Sequence, residues 1–230
     1  MDGAITQWFE LDKAQKYKEA YDIICDAINK NKHPDLYWRK AQSCRNLANS
    51  VGKNDKQVYK KYIEEGLLTC EQGLQIDPEH SKCNSWYGIF INLTSELEGI
   101  NKRIENSFKI KDHWLKAIEA DPDDFLTLHA LGRWCYEVAD LPWIKRKFAA
   151  TFFAQPPTSS FEEALKFLLE SEKKAPGALA KNSIYLAMTY QKLKNLDLAK
   201  QYCQKVLEFT EDDYDTVEAK QEASELLKKL

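Results

Sequence analysis

The sequence is poor in the two residues that most often interrupt regular structure, with only 8 Gly and 7 Pro among 230 residues. Little of the chain can therefore be flexible linker. Alternating runs of β-branched residues, which indicate strands, are also few. Long stretches rich in Ala, Leu, Glu and Lys favour helices instead, so the sequence predicts an all-α protein.

Long apolar runs are also missing, since no stretch approaches the ~18–20 apolar residues that span a bilayer. Met1 leads directly into a helical pattern, without the basic and apolar segments of a signal peptide. We therefore expect a soluble, cytoplasmic protein without a transmembrane segment. The six cysteines form no C-x-x-C pair and none lies near a histidine at zinc-ligand spacing, so they predict reduced, buried thiols and no metal site.

Motifs of catalysis and of nucleic-acid binding are lacking as well. The four histidines are far apart, and no P-loop, dinucleotide-binding or nucleophile-elbow motif occurs. His113 and His129 each lie near a tryptophan, so we interpret them as packing residues. A formal net charge of −3 argues against a nucleic-acid partner. The sequence thus predicts no enzyme, no catalytic residue and no cofactor.

What the chain does contain is an internal repeat. Proline recurs at positions 34, 78, 122 and 176, between helical segments, and two of these prolines follow Asp. Asp caps free amide groups and Pro suits the first helical position, so each proline is expected to open a helix. Two helices in about 34 residues are typical of a tetratricopeptide unit. The best match has Leu186-Ala187 and Tyr190 on its first helix and Ala199 on its second.

Earlier units match in part, with small residues such as Gly66, Gly88 and Gly132 where helices must approach closely. The middle units carry roughly 13, 10 and 20 residues more than the standard spacing. We expect one tetratricopeptide-like solenoid domain over residues 1–230. It would hold about five helix pairs in a superhelix with long insertions, closed by a terminal helix at 215–230.

Charge is spread unevenly along the chain. Residues 208–218 hold six acidic residues and no basic one. Basic residues concentrate in inserted segments: Lys102, Arg103, Lys109, Lys111 and Lys116; Lys145, Arg146 and Lys147; and Lys53, Lys56, Lys60 and Lys61. One such cluster is usually a solvated helix face, but three in a net-acidic protein indicate a surface for an anionic partner.

The longest insertion, residues 141–157, is the least repeat-like. Ile144, Phe148 and Phe152 recur every four residues and predict one apolar helix face. These aromatics either fill the inner groove of the solenoid or line a binding groove.

Several of these segments together resemble the regulator of microtubule dynamics family. The resemblance rests on Trp86-Tyr-Gly88, Leu131-Gly-x-Trp-Cys-Tyr136, Leu141-Pro-Trp143, Phe153-Ala-x-Pro-Pro157-x-Ser159 and their order, and it covers roughly residues 36–230. Larger members of that family carry an N-terminal membrane anchor, so this chain is similar to a short, soluble member. The resemblance implies microtubules and tubulin as partners, with spindle proteins and kinases beside them, and a role in cell division.

Two functions follow as hypotheses. In the first, the protein is a microtubule-associated spindle protein, and Lys102, Arg103, Lys109, Lys111 and Lys145–Lys147 meet the acidic surface and tails of tubulin. In the second, a groove lined by Trp134, Trp143, Phe148 and Phe152 holds the acyl chains of an anionic phospholipid, as the resemblance to a lipid-transferring relative implies. A peptide-binding adaptor is the third reading.

Overall fold

The computed structural model describes residues 1–52, 55–142 and 157–230, and these residues form eleven helices. The helices are Asp2–Lys13 (α1), Tyr17–Lys30 (α2), Pro34–Val51 (α3), Lys56–Ile76 (α4), Ser81–Glu98 (α5), Ile100–Ala120 (α6), Phe125–Ala139 (α7), Phe161–Lys174 (α8), Ala180–Lys192 (α9), Leu196–Glu208 (α10) and Tyr214–Leu227 (α11). The predicted all-α class is thereby confirmed. None of the helices in the described ranges is both long enough and apolar enough to cross a membrane.

The helices group into two compact units, Met1–Pro122 and Asp123–Leu230. In the first unit α1 packs on α2, α3 on α4 and α5 on α6. In the second unit α7 packs on α8 and α9 on α10, while α11 covers α9 and α10. Helices α3 to α6 are 18 or 21 residues long, against 13 for α9 and α10, so the extra residues of these units lengthen helices. One continuous domain over residues 1–230 stays a prediction.

Glycines allow paired helices to approach closely, as the repeat pattern predicted. A Cβ atom on Gly66 of α4 would lie 2.2 Å from the Phe90 ring of α5. A Cβ on Gly88 would lie 2.4 Å from Trp114, and one on Gly132 would lie 2.6 Å from Leu168. Each of these large side chains therefore occupies the space that a side chain at the glycine would need.

The prediction that each proline opens a helix is right for Pro34 and wrong for the other three. Helix α3 begins at Pro34, whereas α5 begins three residues after Pro78, at Ser81. Asp77 accepts a hydrogen bond from the Glu79 amide through its side chain and from the His80 amide through its carbonyl. Pro78 thus occupies the second position of a turn, which its fixed φ suits as well as it suits a helix start.

The last helix, α11, is fixed by its cap and by its apolar face. Ala219, Ala223 and Leu226 join the core of the second unit. The Asp213 carboxylate accepts from the amides of Asp215 and Thr216, each at 3.1 Å. The helix therefore begins at Tyr214, one residue before the predicted position.

Replacement of Asp213 by alanine is expected to lower the free energy of unfolding by about 1 kcal/mol, because two helix-terminal amides lose their acceptor. Urea unfolding followed by circular dichroism measures this change. Asp213→Asn retains a side-chain oxygen and should stay within a few tenths of a kcal/mol of the wild type. Equal losses in both variants would show that the charge, rather than the cap, stabilises the helix.

Candidate functional site

Five of the basic residues predicted to bind an anionic partner lie on α6, and they are distributed over different sides of the helix. Lys102, Lys109 and Lys116 are seven residues apart, so they align along one side of α6 over roughly 21 Å. These three residues are called the α6 lysine row below. Lys111 follows Lys109 by two residues and so points to nearly the opposite side. The predicted cluster is therefore a row with two cations off its line, Arg103 and Lys111.

The outer members of the row have acidic neighbours at its edge. Lys102 Nζ lies 3.1 Å from Glu105 Oε1 on the same helix. Lys116 Nζ lies 3.9 Å from Glu79 Oε1, where the Glu79 side chain is 74% exposed. Ion pairs this exposed contribute about 0–1 kcal/mol and exchange readily, so both lysines can turn to an anionic partner.

The middle lysine of the row is fixed by an aromatic residue of α5. Lys109 Nζ donates to the Tyr87 hydroxyl at 2.9 Å and lies 5.0 Å from the centre of its ring. The Tyr87 hydroxyl in turn donates to Glu71 Oε1 at 2.9 Å. Burial raises the pKa of Tyr87, so the phenol stays protonated and continues to link the lysine to the carboxylate.

The pKa of His113 is affected by burial and by the positive charges on this side of α6. Its Nδ1 lies 2.7 Å from Asn84 Oδ1, and its ring meets the Tyr87 ring edge-on. Burial lowers the pKa of His113, and the charges of Lys109 and Lys116 lower it further. The imidazole is therefore neutral at pH 7, as the packing role predicted for it requires, and it adds no charge to the lysine row.

The other predicted site residues are distributed differently. In the cluster on α4, Lys56, Lys60 and Lys61 are exposed, with Lys60 Nζ 3.5 Å from Glu64 Oε1. Trp134 on α7 is buried, with 6% of its surface exposed. The remaining predicted residues lie outside the described ranges: Lys53, Trp143, Lys145, Arg146, Lys147, Phe148 and Phe152. The aromatic groove for phospholipid thus stays a prediction.

One arrangement in the first unit was not predicted. The Arg39 guanidinium lies 4.0 Å from the Trp38 ring centre and 5.4 Å from that of Trp8. Its Nη1 is also 3.3 Å from Asp35 Oδ1. The spacing of Asp35 and Arg39, four residues apart on one helix, was the sequence signal for this pair.

A second polar cluster lies between α7 and α9 in the other unit. Glu137 Oε1 accepts from Arg133 Nε at 2.8 Å and from the Tyr185 hydroxyl at 3.0 Å. Burial raises the pKa of Tyr185, so its hydroxyl remains a donor. Behind it, the buried His129 has its Nδ1 3.2 Å from Asn182 Oδ1. These contacts fix the two helices against each other.

Comparison with known proteins identifies relatives that match most of the chain. The family model for regulator of microtubule dynamics protein 1-3 matches residues 4–230. Regulator of microtubule dynamics protein 1 of Mus musculus is 34% identical over 193 residues, which cover 84% of this chain and 63% of the relative. Regulator of microtubule dynamics protein 3 of Xenopus laevis is 36% identical over 163 residues, which cover 71% of this chain and 35% of the relative. The chain thus spans less than two thirds of the length of these relatives.

Solved structures give the same fold. A thermophilic TPR protein of Thermus thermophilus aligns with a TM-score of 0.64 over 98% of both chains, at 14% sequence identity. At that identity the likeness supports the tetratricopeptide-like fold alone.

Proposed function

The chain belongs to the regulator of microtubule dynamics family, and from this premise we propose that it is a non-enzymatic, microtubule-associated scaffold that binds through the α6 lysine row. The family match over residues 4–230 carries the proposal. The names of the relatives refer to microtubule dynamics, and those proteins are longer than this chain. A role in spindle organisation and chromosome segregation belongs to the same proposal.

The lysine row supplies the physical basis for binding. The outer surface and C-terminal tails of tubulin are acidic, so a linear series of ammonium groups attracts them without needing one fixed geometry. The side chains of Lys102 and Lys116 are 38% and 49% exposed and pair with exposed carboxylates. An acidic tail can replace those carboxylates at the lysines with little loss of free energy. The attraction should weaken as salt shortens the Debye length from about 10 Å at 0.1 M.

Charge reversal on the row provides the test. Lys102→Glu combined with Lys116→Glu is expected to weaken binding to stabilised microtubules about tenfold, because both attractions become repulsions. Co-sedimentation across a salt series measures the affinity and its salt dependence. Lys109 is left unchanged, since its bond to Tyr87 joins α5 to α6.

The matched control is Arg103→Glu combined with Lys111→Glu, which changes the charge of the same helix equally but off the row. This variant should retain most of the affinity. Equal loss in both variants would contradict the assignment to the row. Microtubules whose acidic tails have been removed by limited proteolysis should bind the wild type weakly. A wild-type protein that does not co-sediment at low salt would contradict microtubule association itself.

A further inference from the structure

A cavity opens in the second unit, where the ends of three helices meet. It has a volume of about 480 Å³ and lies next to the C-terminal end of α8, the first turn of α9 and the C-terminal end of α10. The residues that define its chemistry are Glu172, Pro176, Lys205, Glu208, Phe209 and Glu211. Its size falls within the range of ordinary ligand sites. Nothing in the proposed microtubule contact uses it.

Glu172 is one of the three carboxylates that line this cavity. Its Oε1 accepts from the amide of Gly177 at 3.3 Å. Gly177 has a φ of +66°, a left-handed conformation that suits glycine and directs this amide back towards α8. The second oxygen, Oε2, is buried and has no hydrogen-bond partner among the residues that the structure describes. A buried carboxylate oxygen without a donor is costly, so this atom is suited to accept from a ligand.

The remaining lining favours a cation with an apolar stem. Within the described part of the chain, Glu172, Glu208 and Glu211 outnumber Lys205, the one basic residue lining the cavity. The Lys205 ammonium lies 4.6 Å from the ring centre of Tyr202 and so has an aromatic partner of its own. Phe209 and Pro176 provide apolar surface beside these carboxylates. Lysine and arginine side chains combine a methylene stem with a charged end in this way.

We propose that this cavity receives a lysine or arginine side chain from a basic segment of a partner protein. The charged end donates to Glu172 Oε2, and the stem packs on Phe209. Glu208 and Glu211 are exposed at the cavity and attract the basic residues on either side of the inserted one. The acidic segment at 208–218, which the lysine row does not explain, then serves as the entrance for this partner.

A synthetic probe tests the proposal on the full chain. The probe is a fluorescein-labelled nonapeptide of alternating glycine and basic residues, and its counterpart has glutamine at each basic position. Fluorescence anisotropy should show saturable binding of the basic peptide only. Glu172→Gln keeps the shape and the acceptor for Gly177 but removes the charge at Oε2, and it should weaken binding about tenfold.

Glu208→Gln with Glu211→Gln should weaken binding by a similar factor and reduce its salt dependence. The matched control, Asp197→Asn with Glu225→Gln, removes two exposed carboxylates of the same unit elsewhere and should bind as the wild type does. Equal effects of control and cavity variants would overturn the proposal. So would spermine binding as tightly as the peptide, or peptide binding that only accompanies self-association in sedimentation velocity.

Nuclear magnetic resonance of the wild type gives a measurement that needs no variant. The amide signals of Gly177, Phe209 and Thr210 should shift on addition of the basic peptide, and unchanged signals there would contradict the proposal. Microtubule co-sedimentation of Glu172→Gln should equal that of the wild type. The proposal for the lysine row and the proposal for the cavity can therefore be contradicted independently of each other.

Discussion

Replacement of Phe90 by alanine is expected to lower the free energy of unfolding by about 3–5 kcal/mol. Phe90 is fully buried on α5, and its ring fills the space above Gly66 of α4. The lost ring leaves a cavity between two long helices that can close only in part. Urea unfolding monitored by circular dichroism measures the loss. A change below about 1 kcal/mol would contradict this packing.

A double-mutant cycle with Gly66 identifies the contact itself. Gly66→Ala alone should cost about 1–3 kcal/mol, because its Cβ would lie 2.2 Å from the Phe90 ring. With Phe90→Ala present the new methyl group has room, so the double variant should be more stable than the sum of the single losses predicts. Gly3→Ala is the control and should not destabilise the chain, since no described atom outside its own helix turn lies within 4 Å of the new Cβ. Strict additivity at Gly66 and Phe90 would show that they do not share this space.

The helix pairing was predictable from the sequence because it depends on a local and periodic property. Small residues at Gly66, Gly88 and Gly132 mark the helix crossings, and large residues recur where the partner helix packs. Helix starts were less predictable, since proline suits both a turn and a first helical position. What distinguishes the two is the cap that follows: His80 accepts from the Cys83 amide and Asp124 from the Leu126 amide.

The sequence could predict which residue types form the candidate site, but not their arrangement. The basic cluster on α6 was visible in the sequence, but its division into a row and two other cations follows from helix phase. The acidic neighbours of the row could likewise be predicted only where they are close in sequence. Glu105 is three residues from Lys102, whereas Glu71 and Glu79 approach α6 from other parts of the chain. The cavity beside Glu172 combines the ends of three helices, and no local spacing indicates it.

Acidification should destabilise the protein through His129, a buried residue that the sequence marked only as a packing residue. The pKa of His129 is lowered to about 4, first by burial and then by the charge of Arg133, while the hydrogen bond to Asn182 opposes the shift. Lys181 also disfavours the charged ring and Glu137 favours it. In the unfolded chain the pKa returns to about 6.5. The unfolded state therefore binds the proton first as the pH falls.

The sign and size of the effect follow from these two pKa values. The contribution of His129 to the free energy of unfolding is fully present above pH ~6.5 and is lost progressively as the pH falls towards 4, by roughly 3 kcal/mol in total.

His129→Asn removes the titrating ring but keeps a donor for Asn182. The difference in unfolding free energy between wild type and variant, measured by urea at pH 7, 6, 5 and 4, isolates this term, because the other histidines and the carboxylates titrate in both proteins. That difference should shift against the wild type by roughly 3 kcal/mol over this range, and an imidazole proton signal of the folded wild type should titrate near pH 4. A difference that does not change with pH would show that His129 is protonated as readily in the folded protein as in the unfolded chain.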